Sequence, residues 1–204
     1  KAGEMGLNAI EVPEEYGGIG ISKTTYAALY EEMAKADAGF FTTMAVTNLA
    51  LKPLIIGGRD DLAQKAADIL LGGGYGAFCL TEPMAGSDAS NNKTTAVKDG
   101  DEYVLNGRKC FITNGGIADF YIVTAMTDKS KGVKGMSAFY VEKGTPGLSA
   151  GKEENKMGIR TSNTTDVVFE DMRIPASALI GNEGDGFKIA MKTLDMARAV
   201  MGIG

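Results

Sequence analysis

Apolar residues recur at helical spacing early in the chain. Tyr26, Leu29, Tyr30 and Met33 form one stripe, Ser22 precedes it as a candidate N-cap, and Asp37-Ala38-Gly39 ends it. Phe40 to Ile56 is apolar nearly all round, the pattern of a buried helix, and Pro53 inside it predicts a kink or a break. After Gly57-Gly58, a third helix capped by Asp60 or Asp61 turns Leu62, Ala66, Ile69 and Leu70 inward and stops at Gly72-Gly73-Gly74. The entry, Lys1 to Ile21, is punctuated by Gly and Pro and reads as loop. Residues 1–74 therefore read as a helical unit.

The pattern changes at Tyr75. From there to about Val168 the runs are short, β-branched or aromatic, and separated by turn residues. Strands are expected in the run ending at Thr81, then at Thr94–Lys98, Glu102–Leu105, Arg108–Thr113, Asp119–Met126, Met136–Glu142, Leu148–Lys152 and Thr165–Phe169. Asp99-Gly100-Asp101 links the first hairpin, and Asn106-Gly107 is a strong signal for a second two-residue turn. Regular short strands of this kind predict a sandwich or barrel over residues 75–180. A third change follows Pro175. Leu179 to Gly186 is a loop, Asp185 can cap what comes next, and Phe187, Ala190, Met191, Leu194, Ala197 and Met201 make a helical stripe within 181–204. The class is α+β: helices, a β unit, then the start of another helical unit.

Composition narrows the chemistry. The chain has 204 residues, a net charge of −5 and no Lys/Arg cluster, which argues against nucleic acid as a partner. No apolar run is expected to approach the length of a membrane span, and no signal or transit segment is expected at the start. There is no histidine, so Ser-His-Asp and Cys-His nucleophile systems and His-based metal sites are absent. Acid–base work falls to carboxylates, Lys, Tyr or a cofactor. The two cysteines, Cys79 and Cys110, sit in apolar runs without metal-ligand spacing; they read as buried small hydrophobes in a reducing compartment. The ends, Lys1 to Gly6 and Asp185 to Gly204, read as helices cut short, so a fragment is expected.

Two strand ends carry the candidate site. Phe78-Cys79-Leu80-Thr81 runs into Glu82-Pro83-Met84-Ala85-Gly86-Ser87-Asp88, where Pro83 bars a continued central strand and Gly86 permits a turn. Lys109-Cys110-Phe111-Ile112-Thr113 ends the same way, in Asn114-Gly115-Gly116. Backbone-rich loops, hydroxyls and an aromatic between them suit a planar polar ligand. Each feature alone has a plainer reading: Thr81 and Thr113 as strand ends, Gly86-Ser87-Asp88 as a turn, Phe78 and Phe111 as core.

Together with Lys156-Met157-Gly158-Ile159-Arg160, Phe169-Glu170-Asp171 and Gly184-Asp185-Gly186-Phe187, these segments resemble the acyl-CoA dehydrogenases, in order and over essentially the whole chain, and most nearly the bacterial short-chain (butyryl-CoA) branch. The resemblance implies a helical N-terminal domain, a middle β-barrel domain and the first helix of a C-terminal helical bundle. It implies FAD as cofactor and oxidation of acyl-CoA to trans-2-enoyl-CoA, with loss of an α-proton to a glutamate and of a β-hydride to the flavin. That glutamate is expected beyond Gly204. It further implies electron transfer flavoprotein as acceptor, a homotetramer for the longer protein, and a bacterial cytoplasmic setting. Carried over by position, Phe78, Leu80 and Thr81 lie along the flavin and its ribityl chain. Gly86 and Ser87 meet the pyrophosphate, and Ser87 also meets acyl-CoA. Phe111 packs on the flavin where many members have Trp, and Thr113 stands near N5. Asp195 and Arg198 approach the CoA part of the substrate, although their i,i+3 spacing suits a surface ion pair equally. A non-catalytic flavin or acyl-CoA binding member, or an acyl-CoA oxidase-like enzyme, would share these residues.

Overall fold

Ser22 Oγ accepts the backbone N–H of Thr25 at 3.1 Å, and α1 (Lys23–Ala36) begins there in a computed structural model that describes residues 1–202. The helix buries Tyr30 and Met33, but Leu29, placed on the same stripe from the sequence, is 38 % exposed. Asp37 ends α1 in extended backbone and starts α2 (Ala38–Leu49), its Oδ1 accepting the Phe40 N–H at 2.7 Å. The apolar stretch then breaks at Ala50–Leu51 and resumes as α3 (Lys52–Ile56). Pro53 sits in the first turn of α3, where its missing N–H costs nothing. By length and composition alone Ala38–Ile56 suffices to cross a membrane, with mean hydropathy 1.3, contrary to the expectation that no run approaches that length. Here 61 % of it is buried inside the protein.

The start of α4 (Asp60–Leu71) also departs from expectation. Its N-cap is Arg59, with no side-chain cap. Asp60 instead accepts the Tyr16 hydroxyl at 2.8 Å, and Asp61 pairs with Arg59 at 2.6 Å. Both carboxylates still lie in the first turn, where the helix dipole favours them.

Among the described residues, eight strands form one sheet: β1 (Gly76–Cys79), β2 (Thr95–Asp99), β3 (Glu102–Thr113), β4 (Phe120–Met126), β5 (Met136–Glu142), β6 (Leu148–Ala150), β7 (Thr164–Pro175) and β8 (Leu179–Ile180). Their order is β6-β7-β3-β2-β4-β5-β8, with β1 pairing parallel to β4. The path runs from β6 to β8 without closing, so the sheet is not the closed barrel expected. β2 and β4 meet through a single parallel pair, Thr95 with Met126.

Asn106-Gly107 is not a hairpin turn. β3 runs straight through it, and the two-residue turn is Gly100-Asp101, between paired Asp99 and Glu102. Asn106-Gly107 makes a bulge against β7, where the register slips between Leu105 and Gly107. Asn106 Oδ1 accepts the Asp171 N–H at 2.9 Å, and a Cβ on Gly107 would fall 2.8 Å from Thr94 Cα. The Asn-Gly signal marked an irregular backbone correctly but of a different kind.

Alternation along β4 sorts the core. Phe120 and Ile122 face α3 and α4, packing with Leu54, Leu62 and Leu70; Tyr121 and Val123 face the other side, with Tyr103, Leu105, Phe139 and Phe169. Cys79 and Cys110 are buried free thiols. The last helix, α5 (Gly186–Met201), packs on α2, α3 and β5. Its buried face is Ile189, Ala190, Thr193 and Ala197; Phe187, Met191 and Leu194 are half-buried and Met201 is exposed, so the face is rotated from the expected stripe. The Asp185 carboxylate turns back to accept the N–H and side-chain amide of Asn182 rather than capping the helix.

Candidate functional site

β1 stops because Glu82-Pro83-Met84-Ala85 closes a tight turn, Glu82 and Ala85 exchanging backbone hydrogen bonds at 3.1 and 3.0 Å. Pro83 takes the second position of that turn, where its fixed φ is favourable. β3 arrives alongside. It pairs with β7 up to Lys109 and resumes at Ile112, leaving Cys110 and Phe111 outside the ladder. The freed Cys110 N–H donates to the Thr81 carbonyl at 2.9 Å. Phe111 takes a left-handed conformation, φ 54°, which side chains rarely adopt. That bulge throws its ring outward, 64 % exposed, beside the end of β1.

Asn114 fixes the far side of the same strand end. Also left-handed (φ 64°) and fully buried, it donates through Nδ2 to the Thr43 carbonyl, Thr47 Oγ1 and the Gly76 carbonyl at 3.0–3.2 Å. Reversing the amide would set its oxygen against two carbonyls, so the network dictates the orientation. Around it, Asn114 Oδ1 and the buried hydroxyls of Thr43, Ser162 and Thr165 have no hydrogen-bond partner among the described residues. Unpaired buried polar atoms are costly, and a cluster of them calls for a polar guest or water.

The residues singled out from the sequence fall as follows. Thr81 and Thr113 are half-buried at their strand ends, and the Cys110–Thr81 bond ties those ends together. Gly86 and Ser87 are exposed at the tip of the loop that leaves Thr81. The loop does not itself need Gly86: its φ is ordinary and an added Cβ would meet nothing within 4 Å. Leu80 is buried, its carbonyl taken by Lys109 Nζ and Asn92 Nδ2. Phe78 is half-buried, pairs with Ile122 across β1 and β4 and packs on the helix–sheet core, a different neighbourhood from the exposed Phe111. Asp195 and Arg198 are not at the strand ends. They form an exposed ion pair at 2.8 Å on α5, and Arg198 borders a cavity of about 170 Å³ lined by Ala45, Val46, Leu49, Leu194 and Ala197. α2 connects the two regions, packing on both β1 and α5.

Sequence reasoning passed over Lys109 and Asn114. Lys109 has no exposed surface, and burial lowers its pKa to about 8 despite the opposing effect of Glu82. On Glu82 burial acts upward, but the Lys109 charge and hydrogen bonds from Lys109, Thr94 and Lys93 outweigh it and hold the carboxyl below the usual range. The available signal was an ionisable residue at the head of the apolar run Lys109–Ile112.

Comparison with known proteins places the chain in a family. Family models described as the N-terminal and middle domains of acyl-CoA dehydrogenase match residues 1–73 and 77–172. A short-chain-specific acyl-CoA dehydrogenase of Megasphaera elsdenii is 48 % identical over 200 residues, 95 % of this chain and 52 % of the relative. A solved structure described as the electron transferring flavoprotein of Acidaminococcus fermentans superposes with TM-score 0.95 at 50 % identity, over 99 % of this chain and 54 % of that one. An acyl-CoA dehydrogenase of Bacillus anthracis, solved in complex with FAD, gives 0.91 at 41 % identity, over 100 % and 35 %. The chain spans about half the length of the curated relatives it matches. With its helical and sheet units matched in succession by the two models, the chain belongs to the acyl-CoA dehydrogenase family.

Proposed function

We propose that this chain supplies the flavin-binding half of an FAD-dependent dehydrogenase acting on short-chain acyl-CoA, with electron transfer flavoprotein as electron acceptor. The observation that carries the reading is the outward Phe111 ring, held in left-handed backbone between two strand ends tied by the Cys110–Thr81 bond. An exposed aromatic in a costly conformation, on a strand end whose far side holds unpaired buried hydroxyls around Asn114, fits a planar polar ring system.

Thr81, Phe111 and Thr113 would hold the ring system of FAD, and Gly86 and Ser87 its pyrophosphate. A glycine that its own loop does not require leaves the backbone open to close approach. FAD held by these residues would supply the hydride acceptor for acyl-CoA oxidation. The chain's own part is to bind and orient: Phe111 excludes water from the ring, and the two threonines present hydroxyls at its edge. Arg198 offers a cation to the phosphates of CoA, and the apolar cavity beside it suits a short acyl tail. The proton-abstracting glutamate lies outside these residues.

The test is to add FAD to the purified chain and to a version extended to the length of its relatives, remove the excess, and record visible spectra. Butyryl-CoA is then added anaerobically. Retained flavin that bleaches in the extended protein supports the reading. Flavin that never bleaches with any acyl-CoA leaves a binding module, and failure of both versions to retain flavin overturns the site assignment.

A further inference from the structure

The mechanism above makes no use of the most deeply buried charge in the site region. Lys109 Nζ lies 2.7 Å from Glu82 Oε1, 2.5 Å from Asn92 Oδ1, 3.1 Å from Thr124 Oγ1 and 3.2 Å from the Leu80 carbonyl. Asn92 Nδ2 also donates to the Leu80 carbonyl, at 3.1 Å. Glu82 in turn accepts the backbone N–H groups of Lys93, at 2.6 Å, and Thr94, at 3.0 Å. One ammonium therefore gathers both ends of a loop: Leu80 where it leaves β1, and Asn92 to Thr94 where it enters β2. Gly86 and Ser87 lie at the tip of that loop, and the residue after Lys109 is Cys110, whose N–H holds Thr81.

A buried ion pair is a poor device for stability alone, because desolvating two charges offsets most of their attraction, and an apolar side chain of similar volume serves the core as well or better. What the pair does supply is geometry. Its acceptors come from both ends of the loop that follows β1 and from β4, so each distance is set relative to the others.

We infer that Lys109 is a positioning residue: through Glu82 and Asn92 it sets the shape of the Thr81–Thr94 loop and its distance from Phe111, without itself touching the ligand. The inference rests on the flavin reading for its ligand, but not for the order it imposes on the loop. The 2.7 Å contact with the Glu82 carboxylate and three further oxygen acceptors suit an ammonium at that position.

The experiment compares the wild-type chain with Lys109→Met and with the double variant Lys109→Met/Glu82→Gln, which leaves no unpaired buried charge. Three quantities are read: melting temperature, amide hydrogen exchange along the chain without FAD, and FAD affinity with the spectrum of the bound flavin. The expected result is a double variant that melts near wild type, exchanges faster in Thr81–Thr94 than elsewhere, and binds FAD about tenfold more weakly with a shifted flavin band. A double variant with wild-type exchange in that loop, or with FAD affinity within about twofold and an unchanged spectrum, overturns the inference. If Lys109→Met does not fold, the double variant alone decides. If the wild-type chain does not bind FAD, the flavin reading fails separately, and the exchange pattern still decides whether Lys109 orders the loop.

Discussion

The Cys110 N–H and the Thr81 carbonyl, 2.9 Å apart, join two strand ends that are not otherwise paired with each other in the sheet. The bond exists because the bulge at Cys110–Phe111 withdraws that N–H from β7. Everything proposed for the site depends on these two ends staying in register.

The two half-buried hydroxyls give the most direct test. Thr81→Val and Thr113→Val keep shape and β-propensity while removing one hydrogen-bonding group each. Each is expected to weaken FAD binding by about 1 kcal/mol, roughly fivefold, with melting temperature unchanged. Flavin titration beside thermal melts measures both.

Phe111→Gly separates binding from folding. Glycine relieves the left-handed backbone while surrendering an exposed ring, so stability should stay within about 1 kcal/mol of wild type. FAD affinity should fall about tenfold, as expected for loss of a stacking aromatic. A large drop in melting temperature would instead place Phe111 in the core.

Asn114→Ala should be severe. It leaves the Thr43 and Gly76 carbonyls without their amide donor in a buried site, at a cost of about 3 kcal/mol. For a chain of this size that is a fall of roughly 6–12 °C in melting temperature.

Two glycines should behave oppositely. Gly107→Ala places a Cβ 2.8 Å from the Thr94 backbone at φ 153° and is expected to destabilise by about 2 kcal/mol or more. Gly86→Ala meets nothing in the chain and should leave melting unchanged while weakening FAD binding. Equal effects on folding would contradict the idea that Gly86 is kept for a ligand.

Acid should find Glu82. Its carboxyl is held below the ordinary range in the folded state, so its contribution is fully present above about pH 4.5, the unfolded value, and is lost as pH falls through the folded one. Denaturant melts from pH 6 downward should show a steeper loss in wild type than in Glu82→Gln. At neutral pH, Glu82→Gln should be the less stable of the two, because it leaves Lys109 buried without its counter-charge.

The sequence was most legible where one residue's own chemistry decides. Ser22 caps α1, Pro53 forces a break in the apolar stretch, and Met136–Glu142 is a strand at the limits its pattern predicts. It misled where a partner distant in the chain decides. Asn106-Gly107 has turn chemistry, but Thr94 and Asp171 recruit it into a bulge. Asp60 has cap chemistry, but the Tyr16 hydroxyl claims it. At the site, the paired Thr-ended strands marked where β1 and β3 would meet. The Lys109–Glu82 knot stayed hidden because neither residue signals the other across the intervening loop.

The single Thr95–Met126 pair between β2 and β4 makes a seam in an otherwise continuous sheet. β1 lies on one side of it and β3 on the other, so Thr81 and Cys110 are stitched across a thinly paired line of the sheet. Opening at that line breaks few ladder hydrogen bonds. The ligand-free protein should breathe there, the amides of Met126 and Cys110 exchanging with solvent as a pair. A guest gripped by both strand ends would act as a clasp, slowing both amides together.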